Sequence, residues 1–296
     1  MLTTQRKQLL LDRLRQDGQI VAKAFSEELG ISEDTVRRDL RELAAEGRLQ
    51  RVHGGALPAS AAVGNLQARE QLAPQDKRAL GRAGAALVLP GQVVILDGGT
   101  TSLQVVQHLP LDLRATVVTH SPAVAVALAG HTQIEVLVLG GRLFRHSMVN
   151  VGASVVEAAA QLRADLYLMG VTGVHAEAGL TTGDFEEAAV KRALHQRAAE
   201  TVVLASLDKL GTASPFSVAP LRELSALVVP AATPEPVVQL LQKSFTNALK
   251  RTDTQAQLTG MDLFYEGLTG ADAVKRLADQ SQRYGRVVKS TGMKVE

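Results

Sequence analysis

ILDGGTTSLQ, residues 95–104, joins an aliphatic run to two glycines and three hydroxyl residues. The run VVILD (93–97) reads as a strand that ends at Asp97. Gly98 and Gly99 let the chain turn tightly, and Thr100, Thr101 and Ser102 open a helix. Strand, glycine turn and helix within ten residues form the elementary step of an alternating α/β fold. The same rhythm repeats downstream. ATVVT (115–119), IEVLVL (134–139), LYLMG (166–170), TVVLA (201–205) and LSALVV (224–229) are near-continuous aliphatic runs, as parallel strands covered on both faces require. Helical stretches such as SLQVVQHL, PAVAVALA, ASVVEAAAQLR and FEEAAVKRALHQRAA lie between them. The pattern predicts a doubly wound, mostly parallel sheet with helices on both sides.

Ligands of such sheets sit beyond the carboxyl ends of the strands, so the residues there carry the chemistry. The N–H groups opening the helix at Thr100, with the hydroxyls of Thr100 and Thr101, form a phosphate cradle. An ordinary strand-to-helix turn with a threonine cap is the alternative. The spacing is neither GxGxxG nor GxxxxGK[ST], which argues against a dinucleotide or a nucleoside triphosphate. Other strand ends supply Thr119, His120 and Ser121, then Gly140, Gly141 and Arg142, then Gly170 to Gly173, and finally Lys209. Hydroxyls, glycines and one or two cations at successive carboxyl edges suit a small phosphorylated polyol. Glu187 and Lys191 stand four apart on one helix, either as a surface ion pair or with Glu187 turned into the pocket.

The first fifty residues read as three short helices. Leu9, Leu10 and Leu14 mark the first; Val21, Ala22, Phe25 and Leu29 line the second; Val36, Leu40 and Leu43 form the stripe of the third, which Ser32 caps. Only Gly30 and Ile31 separate the second from the third, as in a helix-turn-helix whose second helix enters the major groove. Ser32 at its start and Thr35, Arg37, Arg38 and Arg41 on its outer face are the candidate DNA contacts, within reach of bases and phosphates. RLQRVHGG then predicts a two-stranded wing with Arg51 and His53 at a basic tip. A small three-helix bundle with solvated arginines is the alternative.

The chain has 296 residues, 46% of them hydrophobic and 21% charged, enough for two domains with sizeable cores. The longest apolar stretch is broken by His120, Ser121 and Pro122, so no segment reaches the roughly 20 residues of a membrane-spanning helix. The polar, basic start is unlike a secretory signal, and a cytoplasmic location is expected. The absence of cysteine removes disulfides, thiolate nucleophiles and cysteine-zinc sites. The 7 histidines show no metal-ligand pairing, so neither metal nor cofactor is expected. With aromatics at 3% and no tryptophan, stacking on single strands has little material, and duplex is the expected nucleic-acid partner. A net charge of +2 means that DNA binding rests on a few placed arginines. GGALPASAAVGNLQAR (54–69) is small, nearly uncharged and rich in glycine, proline and serine, which predicts a flexible connection. The expected organisation is a DNA-binding domain at 1–57, a linker at 58–69, a sensor at 70–243 and an extension at 244–296, in which 272–284 reads as a helix.

ISEDTVRRDLRELAAEGRLQRVHGGA resembles the DNA-binding signature of the DeoR-type bacterial transcription regulators. LDGGTTS, VVTHSPAVA, VLGGRL, RADLYLMGVTG, GLTTGDFEEAAVKRAL and ASLDKLG are similar, in order and spacing, to the effector domain of the same family. The likeness covers about residues 5–243. It implies a winged helix-turn-helix followed by a sensor related to ribose-5-phosphate isomerase, and repression of a carbohydrate catabolic or transport operon. It also implies that a phosphorylated sugar or polyol relieves that repression, and the expected partners are double-stranded operator DNA and further copies of the chain, as a dimer or tetramer. Thr35, Arg37 and Arg38 match the recognition helix, Arg51 and His53 the wing, Asp97, Gly99, Thr100 and Thr101 the phosphate loop, and Lys209 the family's late lysine. His120 stands where asparagine is usual and Ser206 where aspartate is common, and the family pattern does not include the tail beyond about Lys243. A sugar-phosphate isomerase is the alternative, but GVTG replaces the acidic Asp-Gly-Ala-Asp-Glu segment of the isomerases after the corresponding strand. Glu187 alone is a poor proton-transfer apparatus. No catalytic residue is therefore assigned.

Overall fold

Leucines at helical spacing give α1 (Thr3–Asp17) a buried face of Leu10, Leu11 and Leu14. After the short β1 (Ile20–Val21) come α2 (Ala22–Leu29) and α3 (Glu33–Ala45). The Ser32 hydroxyl caps α3 by accepting the Thr35 N–H at 3.2 Å, and Glu33 and Asp34 complement the helix dipole in its first turn. Val36, Leu40 and Leu43 pack with Leu10, Leu14 and Phe25 in one small core. Arg6 of α1 grips the buried Asp39 of α3 with two guanidinium nitrogens, Nη2 to Oδ1 at 3.0 Å. β2 (Leu49–Val52) and β3 (Gly55–Pro58) form the antiparallel wing, and β1 adds a third strand along β3. A side chain on Gly55 would lie 1.7 Å from the Ile20 carbonyl oxygen, so only glycine lets β1 approach.

The computed structural model describes residues 2–60 and 66–231, together with 233–236, 238, 239 and 243. The helix expected at 272–284, like the rest of the extension at 244–296, lies outside the described residues.

The expected flexible connection is corrected where it is described. Gly55–Pro58 is strand, and the chain then runs onto the sensor. The Pro58 carbonyl accepts the Ala213 N–H at 3.2 Å, Ala59 bridges to Ala213, and Ser60 is buried with its hydroxyl on the Thr172 carbonyl. Helix α4 (Leu66–Glu70) follows, its first N–H bonded to the His146 carbonyl at 3.0 Å. Small residues suit close backbone docking as well as they suit a free coil, and composition does not distinguish the two.

Helix α5 (Pro74–Ala85), with proline in its first turn, leads into the sheet. The strands are β4 (Val93–Leu96), β5 (Ala115–Thr119), β6 (Ile134–Val138), β9 (Ala164–Met169), β12 (Ala198–Leu204) and β14 (Ala226–Val228). All are parallel, in the order β14-β12-β9-β4-β5-β6. Alternate residues serve opposite faces. Val94, Leu96, Val117, Leu166, Leu168 and Val202 share one core with Leu80 of α5, Val105 of α6 (Thr100–His108) and Val124 of α7 (Pro122–Ala127). Ile95, Val118, Tyr167, Met169 and Val203, buried on the opposite face, belong to the side where α8 (Ala153–Ala160) and α9 (Phe185–His195) lie. The sequence runs gave the strands but not the antiparallel additions, which are the hairpin β7 (Arg142–Phe144) and β8 (Val149–Val151) and the three-stranded β10 (Gly173–His175), β11 (Gly179–Thr182) and β13 (Phe216–Ala219).

The chain leaves β4 toward β5 and later returns to place β9 on its other side. The carboxyl ends of β4 and β9 therefore flank the point where the strand order reverses, the crevice in which open α/β sheets take ligands. Among the described residues, no helix is long and apolar enough to cross a membrane.

Candidate functional site

A cavity opens at that crevice. Gly98, Gly99, Thr100 and Thr101 line it from the β4–α6 loop, and Gly170, Val171 and Thr172 line it from the end of β9. Gly99 has φ +109°, a conformation that side chains rarely adopt, and it lets α6 start with its N-terminus at the cavity.

Beneath the loop lies the fully buried Asp97. One carboxylate oxygen accepts from His120 Nε2 and the Gly98 N–H, each at 2.8 Å. The other accepts from Lys191 Nζ at 2.5 Å and the Gly170 N–H at 2.9 Å. Burial by itself raises the carboxyl pKa, but the Lys191 charge and the His120 hydrogen bond outweigh it and hold Asp97 well below the usual carboxylate range. Burial pulls Lys191 down in the same way, and Asp97 and Glu187 outweigh it in turn, so its pKa is raised. Glu187 Oε1 stands 3.4 Å from Lys191 Nζ on the same helix, and the Lys191–Asp97 pair pins α9 to the end of β4.

The remaining cations are not balanced in this way. Arg69 of α4, Lys77 of α5 and Lys209, in the 3₁₀ turn after β12, also line the cavity. Burial depresses the pKa of all three. Lys209 falls to about 8, because burial and the charges of Arg69, Lys77 and Lys191 together outweigh the opposing Asp208. Arg69 Nε and Nη2 and the Thr101 hydroxyl oxygen are sealed from solvent and, among the described residues, have no hydrogen-bond partner. Lys77 Nζ reaches the Arg69 carbonyl. Unused donors, mutually repelling cations and a helix N-terminus converge here, and a bound anion with several acceptor oxygens relieves all of these strains at once.

Of the sensor residues expected from sequence, Gly98, Gly99, Thr100, Thr101, Gly170, Glu187, Lys191 and Lys209 line the cavity. Asp97 and His120 support it from behind. Four stand apart from its lining. The Thr119 hydroxyl oxygen accepts the Ser121 N–H at 3.1 Å, and Ser121 caps α7 while donating to the Met148 carbonyl at 3.0 Å. Gly141 sits against Val155 and the Val151 carbonyl, and Arg142 is exposed and pairs with Glu186. Arg69, Lys77 and Asp208 were missed. Lys77 falls three and four residues before the buried Leu80 and Gly81, and a lysine on a buried helical stripe was a legible signal. Arg69 lies in the stretch read as linker and has no such pattern.

On the N-terminal domain, Ser32 is spent on the cap, while Arg37, Arg38 and Arg41 are exposed along α3 and Thr35 is half-buried. Arg37 Nε and Nη2 rest on Glu33 Oε1 at 3.1 and 2.7 Å. Arg37 shares a groove with Arg51 and His53 of the wing, so recognition helix and wing present their basic groups together.

Residues 6–61 match the family model of the DeoR-like helix-turn-helix domain, and residues 73–230 match that of the DeoR C terminal sensor domain. The chain is 34% identical to the HTH-type transcriptional regulator GlpR of Haloferax volcanii over 231 residues, 77% of this chain and 90% of that protein. It is 31% identical to the HTH-type transcriptional repressor GlcR of Bacillus subtilis over 264 residues, 88% of this chain and 98% of that one. Among solved structures, ribose 5-phosphate isomerase A of Methanocaldococcus jannaschii aligns with a TM-score of 0.34 at 18% identity, over 45% of this chain and 53% of that one.

Proposed function

The chain belongs to the DeoR family of DNA-binding transcriptional repressors, and from that premise we propose that a phosphorylated sugar or polyol, bound at the crevice between β4 and β9, controls its hold on the operator of a carbohydrate catabolic or transport operon. One observation carries the reading: Arg69, Lys77 and Lys209 surround the N-terminus of α6, with Arg69 Nε and Nη2 and the Thr101 hydroxyl oxygen unpaired among the described residues. A phosphoryl group supplies three acceptor oxygens and about two negative charges in the volume of one side chain. Arg37, Arg38, Arg41, Arg51 and His53 then contact duplex DNA. One recognition helix reads too few base pairs to select an operator, so paired half-sites require a dimer or tetramer of the chain.

The route from ligand to DNA runs through the segment that leaves the wing. Pro58 and Ser60 are bonded to the sensor, and Ser60 holds the carbonyl of Thr172, itself in the cavity wall. Nine residues on from Ser60, Arg69 enters the same cavity. A ligand that draws in Arg69 and Thr172 shifts the wing's anchor, and typical coupling of 1–3 kcal/mol changes operator affinity by about 5–150-fold.

Calorimetry of the full chain with phosphorylated sugars and their dephosphorylated counterparts tests the pocket. The phosphorylated forms bind, and Lys209→Ala weakens them more than Thr100→Ala or Thr101→Ala. Equal binding of the dephosphorylated sugars defeats the reading. Mobility shifts of operator DNA with and without the sugar phosphate that binds test the coupling.

A further inference from the structure

The cavity that gathers these cations also holds a carboxylate one of whose oxygens is unpaired among the described residues. Asp208 belongs to the 3₁₀ turn Leu207–Lys209 and lines the cavity beside Lys77, Thr101 and Lys209. Its Oδ1 is sealed from solvent and, among the described residues, accepts no hydrogen bond. A buried acceptor left unpaired costs free energy, and a buried charge costs more. Lys77 and Lys209 supply nearby charge, but neither donates a hydrogen bond to this oxygen.

The dianionic phosphoryl group of an ester does nothing for such an atom. Its oxygens are acceptors of the same charge, so it satisfies Arg69 and Thr101 while leaving Asp208 unpaired and repelled. A ligand that completes the site must bring an O–H donor close to its phosphoryl group. In a phosphorylated polyol, the hydroxyl on the carbon next to the ester carbon fills that role. We infer that Asp208 is a specificity-determining residue that accepts a hydrogen bond from a ligand hydroxyl near the phosphoryl group, so that the pocket selects hydroxylated phosphate esters against simple alkyl phosphates. The inference rests on the phosphate reading of the pocket and names the class of ester within it. Sites built to hydrogen-bond a hydroxyl reject analogues that lack it, because their own polar group is then left unpaired.

Three probes of similar charge decide the matter on the full chain: glycerol 3-phosphate, n-propyl phosphate and inorganic phosphate, titrated by calorimetry into wild type, Asp208→Asn and Asp208→Ala. Wild type prefers glycerol 3-phosphate over n-propyl phosphate by about tenfold or more. Asp208→Ala abolishes that ratio and binds n-propyl phosphate more tightly, since a like charge has gone. Asp208→Asn keeps an acceptor oxygen in place and preserves part of the ratio, which separates loss of the hydrogen bond from loss of fold. An unchanged ratio in Asp208→Ala, or no preference in wild type, overturns the role of Asp208 while leaving phosphate binding intact. Failure of all three probes to bind wild type overturns the phosphate reading and the inference with it.

Discussion

Arg37, Arg38, Arg41 and Arg51 stand in solvent on α3 and the wing, whereas Lys77 and Lys209 are buried and the half-buried Arg69 has two guanidinium nitrogens sealed in the sensor cavity. The exposed arginines keep their hydration until a partner arrives. They cost the fold nothing, act over a Debye length and weaken with salt. The enclosed cations lose hydration on folding, and the cavity is left poised for an anion that restores what burial removed. Exposure suits a long, repetitive polyanion that must be met and released; enclosure suits a small ligand that must be told from its neighbours.

The largest expected effect is at the floor of the cavity. Asp97→Ala leaves Lys191 and His120 buried without their acceptor, and urea unfolding should show a loss of about 3–5 kcal/mol. The depressed carboxyl implies a pH signature as well. Asp97 contributes stability above the ordinary carboxylate pKa, and that contribution is lost as the solution is acidified through and below it. A variant as stable as wild type at pH 7 contradicts the tie between β4, β9 and α9.

On the exposed side, Arg37→Ala and Arg38→Ala should leave thermal unfolding nearly unchanged yet weaken operator binding. A base-edge contact costs about 1–3 kcal/mol and relaxes sequence preference, whereas a phosphate contact weakens all sequences alike and lowers the salt slope by about one. Mobility shifts at several salt concentrations separate the two. Unchanged affinity in both variants removes α3 from the interface.

Lys209 sharpens the contrast through pH. Its pKa of about 8 in the fold lies below the ordinary 10.5, so the unfolded chain holds the proton more tightly and stability rises with pH across that window. A bound phosphoryl group favours the ammonium form, so binding near and above pH 8 takes up a proton. Affinity then declines as pH rises further, by at most about tenfold per unit. Calorimetry in two buffers of different ionisation enthalpy measures the uptake directly; a heat independent of buffer at pH 8.5 contradicts it. Smallest of all, Glu33→Ala frees Arg37 from a solvent-exposed i, i+4 pair and should change stability by only about 0.3–0.5 kcal/mol, as urea unfolding would register.

The parallel sheet was legible because strands buried on both faces must be aliphatic throughout, and a run such as ATVVT at 115–119 coincides with β5 residue for residue. The β4–α6 loop was legible because a glycine turn followed by hydroxyl residues marks the passage from a strand to a helix. The short antiparallel strands were not: β11, Gly-Leu-Thr-Thr, is fully buried yet carries no alternation to betray it. Nor does spacing decide a site. Glu187 and Lys191 fit a surface pair as well as a buried one, and only their burial against Asp97 settles which they are.

The sequence alone determined the helix-turn-helix, the parallel strands and the glycine turn between β4 and α6, because each rests on local rules of periodicity, capping and turn chemistry within about ten residues. Tertiary structure decided the rest. Thr119, Ser121 and Arg142 share the strand-end address of Lys209 and yet cap, bond or pair elsewhere, while Arg69 and Lys77, from segments before the first strand of the sheet, arrive beside Lys209 more than a hundred residues later. Which cations share a cavity, and which carboxylate stands among them unpaired, depends on how the elements pack around the reversal of strand order. No local pattern encodes that distance, since the energy that enforces it comes from the burial of the whole sheet.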